Sequence, residues 1–178
     1  SVNALLAIDV GGNLVFTRKI WVLLLAAMVG ALTLLGSGSA VAEPQLPRIA
    51  IYSDNFGTVG DHNNCRGALN VGVVAPKGKR GTIRVTVTSF GFTGDGTGWT
   101  RNPKCRFLLR LTQWSAKYPV GKEVFYPVAF GPRRGERFVR ELHPGSGLGS
   151  FNVATYAIDQ PVQLPQSYGG SGFLATVP

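Results

Sequence analysis

Thr82-Ile83-Arg84-Val85-Thr86-Val87-Thr88-Ser89 is the stretch on which the fold turns. Ile83, Val85 and Val87 alternate with Arg84, Thr86 and Thr88, so an extended backbone puts the aliphatic side chains on one face and the polar ones on the other. The pattern predicts a strand with one wet face. Ala68 to Ala75 predicts its partner, joined through Pro76-Lys77-Gly78-Lys79-Arg80-Gly81, where a proline and two glycines break any helix. The two form a hairpin.

Downstream, Cys105 to Trp114 places Cys105, Phe107, Leu109 and Leu111 on one parity and Arg106, Arg110 and Thr112 on the other, with Leu108 and Trp114 out of step. Glu123 to Phe130 is rich in aromatic and β-branched residues, but Pro127 has no N–H for a ladder and marks an edge strand. Phe138 to Leu142 is short and alternates. Ser150 to Ile158 alternates again behind the turn Pro144-Gly145-Ser146-Gly147-Leu148-Gly149. Arg48 to Tyr52 and Gly172 to Val177 bring the count to seven or eight, with no ten-residue helical pattern between them. The expectation is an all-β chain: an antiparallel β-sandwich, immunoglobulin-like with about seven strands, preferred over a small barrel. Pro161 to Gly172, with its prolines and small polar residues, is expected to link to a last edge strand or to end as a loose tail.

The N-terminal part has a different character. Arg18 and Lys19 precede Ile20 to Leu35, a run of 16 residues without a charge, and Ala40-Val41-Ala42 has the small-x-small form of a signal-peptidase site. The run is short of the roughly 20 residues a spanning helix needs, and it passes into Gly36-Ser37-Gly38-Ser39 instead of a basic stop-transfer flank. A cleaved, helical signal peptide over 15–42 is therefore expected ahead of a retained membrane anchor. No cysteine near Ala42 allows lipid attachment, and Arg18-Lys19 is not a twin arginine, which favours the general secretory route. Residues 1–14 stand upstream as an extension, with Val15 as an alternative start. The expected product is one exported domain over 43–178, of a size that builds a core without metal or oligomer support.

Two cysteines remain in that domain, Cys65 and Cys105. Outside the cytoplasm an isolated pair is expected to be bridged, and neither CxxC spacing nor further ligands suggest redox or zinc chemistry.

Charge speaks about partners. Without Arg18, Lys19 and Asp9, the 18 basic and 9 acidic residues become 16 and 8, a net charge of about +8. Lys77, Lys79 and Arg80 cluster in one turn; Arg133, Arg134, Arg137 and Arg140 cluster around another. Together on one face they would meet an anionic polymer or lipid surface of the cell envelope. The plainer reading is that they keep strand ends soluble and unpaired. No nucleic-acid-binding signature accompanies the charge.

Catalytic patterns are weak. His62 and His143 both sit in expected loops, GxSxG and HExxH are missing, and the glycine strings at Gly94 to Gly98 and Gly145 to Gly149 lack the strand-then-helix setting of a phosphate loop. Ser53, His62 and Asp95 could meet in space as a nucleophile, base and carboxylate. Ser53-Asp54-Asn55 and Asp61-His62-Asn63-Asn64 offer oxygen ligands without EF-hand spacing, and such loops usually bond their own backbone. No catalytic residue, metal or cofactor is assigned.

Phe90 to Trp99 is expected to be a long flexible loop after the best strand. Phe92, Asp95, Trp99 and Arg101 are its candidate ligand-binding residues, with Phe92 and Trp99 as rings for a glycan or an envelope lipid. The competing expectation folds Trp99 over the core near Cys105, as sandwiches often cover a disulfide with tryptophan.

With its export signal, Asn63-Asn64-Cys65 segment, basic turn before a Thr-rich strand and Trp99 ahead of Cys105, the region from Ser53 to Val177 resembles the small exported two-cysteine proteins of unknown function found in actinobacteria. The resemblance implies a secreted or envelope setting and carries no active site. The functional expectation is a non-catalytic secreted module that binds an anionic, glycan or lipid component of the envelope, or a partner protein. The alternative is a small secreted hydrolase with a loop-built site.

Overall fold

The computed structural model describes Glu43 and residues 45–178. The extension expected at 1–14 and the signal peptide expected at 15–42 lie outside those residues. No described helix is long and apolar enough to cross a membrane.

The described chain is all-β, with two antiparallel sheets of five strands each. Sheet I has the order β1 (Arg48–Ala50), β10 (Ser171–Val177), β8 (Gly147–Tyr156), β5 (Cys105–Ser115), β6 (Tyr118–Phe130). Sheet II has the order β7 (Arg137–Leu142), β4 (Ile83–Thr93), β3 (Arg66–Val74), β2 (Asn55–Val59), β9 (Ser167–Tyr168). One short helix, α1 (Gly96–Arg101), follows β4.

The alternation sets which faces meet. Ile83, Val85 and Val87 of β4 and Leu69, Val71 and Val73 of β3 are buried, as are Phe107, Leu109 and Leu111 of β5. These residues of both sheets belong to one apolar cluster, the core of a sandwich-like arrangement. Phe92 stacks on Phe130 with centroids 6.0 Å apart and meets Phe107 at 5.7 Å, while Phe151 stacks on Phe173 at 5.3 Å. Burying each such ring contributes about 1.5–3 kcal/mol. The disulfide joins the sheets: Cys65 lies just before β3 and Cys105 opens β5, their Cα atoms 5.6 Å apart and both sulfurs buried. Closing its 40-residue separation restricts the unfolded chain by about 4 kcal/mol on the entropy model.

Ten strands replace the expected seven or eight, the additions being β2 and the two-residue β9. Three further expectations are corrected. The sequence ends the Thr-rich strand at Ser89, but β4 continues to Thr93 across a bulge: Leu69 pairs with Ser89 and Gly67 with Phe92, so β4 spends one residue more than β3. The bulge reverses the parity, so Phe92 points inward as Ser89 does, and Gly91 takes a positive φ of 97°. The hairpin partner β6 begins at Tyr118, five residues before the expected start, because Ser115 pairs with Tyr118 around a tight turn. The C-terminal segment is neither an edge nor a tail. β10 lies between β1 and β8, and its Phe173 is fully buried.

Candidate functional site

The two basic clusters lie at opposite ends of the sandwich. Lys77, Lys79 and Arg80 occupy the turn that leads into Ile83, at one end of β4. On β7, Arg137 pairs with Thr88 and Leu142 with Ile83, so the preceding Arg133 and Arg134 stand beside the other end of β4, where the Arg134 side chain approaches Gly91. From Ile83 to Gly91 the strand covers about 26 Å. The expectation that the clusters share one face is therefore corrected: the meander β3-β4-β7 sends the two turns in opposite directions.

At the first end the fold recruits residues far away in sequence. Gly145 donates its N–H to the Gly81 carbonyl at 3.1 Å, Lys117 Nζ donates to the His143 carbonyl at 3.3 Å, and the Lys117 and Lys122 ammonium groups lie over the Tyr118 ring at 5.4 and 5.1 Å. The β3–β4 turn, the loop at 143–146 and the β5–β6 hairpin thus meet. Lys79 donates to Glu141 at 2.7 Å, and Arg84 donates to Glu141 at 2.9 Å and also bonds Glu43. Lys79 first, then Arg84, hold the Glu141 carboxyl below the usual glutamate range, against the opposing effect of burial. Lys79 is so drawn toward β7, while Lys77, Arg80, Lys117 and Lys122 make no ion pair among the described residues. Beside them a shallow apolar recess of about 410 Å³ is lined by Gln45, Leu46, Pro47, Ala75, Thr176 and Pro178.

At the other end Arg133, Arg134 and Arg137 are exposed. Arg140 has a different setting: its guanidinium lies 4.7 Å from the Phe138 ring centre and 5.2 Å from that of Tyr126, over the seam between β7 and β6. It is a lid on the core edge as much as a surface charge. All described acidic residues are engaged, seven in ion pairs and Asp61 in hydrogen bonds from the Ile158 and Asp159 N–H groups and the Gln166 side chain. The positive excess is therefore carried by cations free to meet outside anions.

The expected ligand loop comes apart. Phe92 is 3% exposed and belongs to the core, so it cannot present a ring. Trp99 is half-buried on α1 and packs against the core, its ring 6.4 Å from that of His62 and seated over Gly94. Asp95 pairs with Arg66 at 2.9 Å, which keeps that guanidinium's pKa raised, and Arg101 is exposed at the end of α1.

His62 meets the Asn102 carbonyl at 3.0 Å and the Asn63 amide at 2.9 Å; His143 meets the Thr82 hydroxyl at 3.1 Å. Among the described residues neither histidine has a carboxylate as hydrogen-bond partner, and no three metal-ligating side chains gather. The Ser53 hydroxyl accepts the Asn55 N–H at 3.1 Å and Asp54 pairs with Arg48 at 2.6 Å, so these Asx-rich segments spend their oxygens on the chain itself. Comparison with protein-family models, characterised proteins and solved structures finds no match to this chain.

Proposed function

We propose that this protein is an exported, non-catalytic binding module that holds an anionic polymer or lipid surface of the cell envelope at the end formed by Lys77, Arg80, Lys117 and Lys122. The observation that carries the reading is the convergence of these four cations from two separate hairpins, none in an ion pair among the described residues. Several cations met at once favour a polyvalent partner over a single small anion, and the attraction weakens as salt rises. The adjoining apolar recess would suit the aliphatic part of a lipid. Export is supported by Arg18-Lys19, the uncharged run to Leu35 and Ala40-Val41-Ala42, and by the presence of a disulfide.

Strand order supports an immunoglobulin-like reading of the fold. β3, β4 and β7 stand where strands A, B and E stand in that fold, and β10, β8, β5 and β6 where G, F, C and C′ stand. The disulfide differs, running from ahead of the A-like strand to the C-like strand instead of B to F, so the likeness is one of connectivity.

The test is co-sedimentation with vesicles containing one third anionic phospholipid and with native envelope material. Reversing charge in Lys77→Glu, Arg80→Glu and Lys117→Glu together is expected to lower retention at least tenfold, and Arg133→Ala, Arg134→Ala and Arg137→Ala together to lower it less. Equal retention of the first variant, or a larger loss in the second, overturns the assignment of this end.

A further inference from the structure

The outer face of sheet I differs in chemistry from the rest of the surface. Residues opposite in parity to Phe107, Leu109, Phe151 and Phe173 face outward there, among them Arg110 and Trp114 of β5, Asn152 of β8 and Glu123 of β6. Two aromatic rings on this face sit against glycines. A Cβ on Gly121 would come 2.5 Å from Trp114 Nε1, and a Cβ on Gly172 would come 2.9 Å from Tyr52 Cδ2. Both rings keep surface open to solvent: Trp114 is 41% and Tyr52 60% exposed. Large exposed rings are the uncommon case for these side chains.

Between the rings runs one row of the sheet in register, Gly172, Asn152, Thr112 and Glu123. From β10 to β6 this row crosses three strand spacings, about 14 Å. Arg110 spans its middle, donating to Asn152 Oδ1 at 3.3 Å and to Glu123 Oε1 at 3.4 Å, its guanidinium held 4.7 Å above the Tyr156 ring. The Arg110 Nε–H is buried and has no partner among the described residues. These polar side chains are oriented by one another and by the Ser171 carbonyl, which accepts from Asn152 Nδ2 at 3.3 Å, and Glu123 Oε2 has no hydrogen-bond partner among the described residues. The face is also neutral, since Arg110 pairs with Glu123 and Arg106 with Asp159. Along the row itself no cation is left without an ion pair.

We propose that this face is a second binding site, which takes a neutral polysaccharide: Tyr52 and Trp114 stack on sugar rings, and Asn152, Glu123 and Arg110 bond hydroxyl groups between them. The site adjoins the cationic end, since the β5–β6 hairpin carries Trp114 as well as Lys117 and Lys122, but uses different side chains, and two rings separated by polar side chains match a ligand that alternates apolar ring faces with hydroxyl edges. Charge complementarity selects that occupant over an anionic one.

The test is isothermal titration of the purified protein with hexasaccharides of glucose, N-acetylglucosamine and galactose, with sedimentation velocity to fix the oligomeric state. At least one neutral hexasaccharide is expected to bind, and Trp114→Ala and Tyr52→Ala are each expected to weaken it tenfold or more. Lys77→Glu with Arg80→Glu should leave it unchanged. Tyr52→Ala alters an exposed side chain outside the strands, so it decides the matter if Trp114→Ala does not fold. No binding by any of the three sugars at millimolar concentration overturns the proposal. So does undiminished binding by Tyr52→Ala, or a dimer that Leu148→Glu converts to monomer, since the exposed Leu148 and Ile49 would then mark a face for a second copy.

Discussion

Gly60 lies tightly against the bridge. A Cβ there would lie 2.6 Å from Cys105 Sγ and 2.8 Å from both Cys65 Sγ and the Arg106 carbonyl oxygen, none of which is the movable tip of a flexible side chain. Gly60 also donates its N–H to the Cys65 carbonyl at 2.9 Å, so its backbone is fixed against the loop it closes. Gly60→Ala is expected to destabilise the protein by about 1–3 kcal/mol, the usual cost of forcing extra volume into a packed interior. Urea denaturation under oxidising conditions measures it; a variant as stable as wild type would mean that the segment around Gly60 shifts freely. This crowding was invisible in the sequence, where Gly60 is one glycine among 24. Phe92 shows the same gap: its parity depends on a bulge that pairing with β3 imposes, and no local pattern announces a bulge.

Among elements, the carboxylate of Glu141 ties β7 to the β3–β4 turn through Lys79 and to β4 through Arg84. Its pKa is lowered on folding, so its contribution to stability is fully present above the ordinary glutamate value, near pH 4.3, and is lost as the pH falls through the lower folded value. Glu141→Gln is therefore expected to melt below wild type at pH 7, with the difference shrinking as the pH is taken to 3. Thermal melts across that range check it, and a difference that is constant with pH would remove the electrostatic account. Elements with clean alternation were legible: β3, β4, β5 and the Pro127-bearing edge strand β6 all follow from side-chain parity and from a missing N–H. β2 was not, because Asn55-Phe56-Gly57-Thr58-Val59 has a glycine at its centre and only Phe56 and Thr58 to bury. α1 was hidden by two glycines and two threonines, poor helix formers that tertiary packing of Trp99 overrides.

For the whole described domain, the arrangement of charge follows from topology. Lys77 and Lys117 are 40 positions apart in the chain, and Arg80 and Arg134 belong to turns that a sequence pattern can count but cannot orient. Only the order β7-β4-β3 in one sheet and β5-β6 in the other separates the arginine turn from the lysine turn and brings Lys117 and Lys122 to the latter. The pairing of Cys65 with Cys105, by contrast, followed from there being no other candidate in the expected domain. The most direct check is an amide NMR titration of the purified protein with sodium polyphosphate at low ionic strength. The account predicts the largest shifts at Lys77, Arg80, Lys117 and Lys122, reversed by added salt; shifts confined to Arg133, Arg134 and Arg137, or no shifts at all, would contradict it.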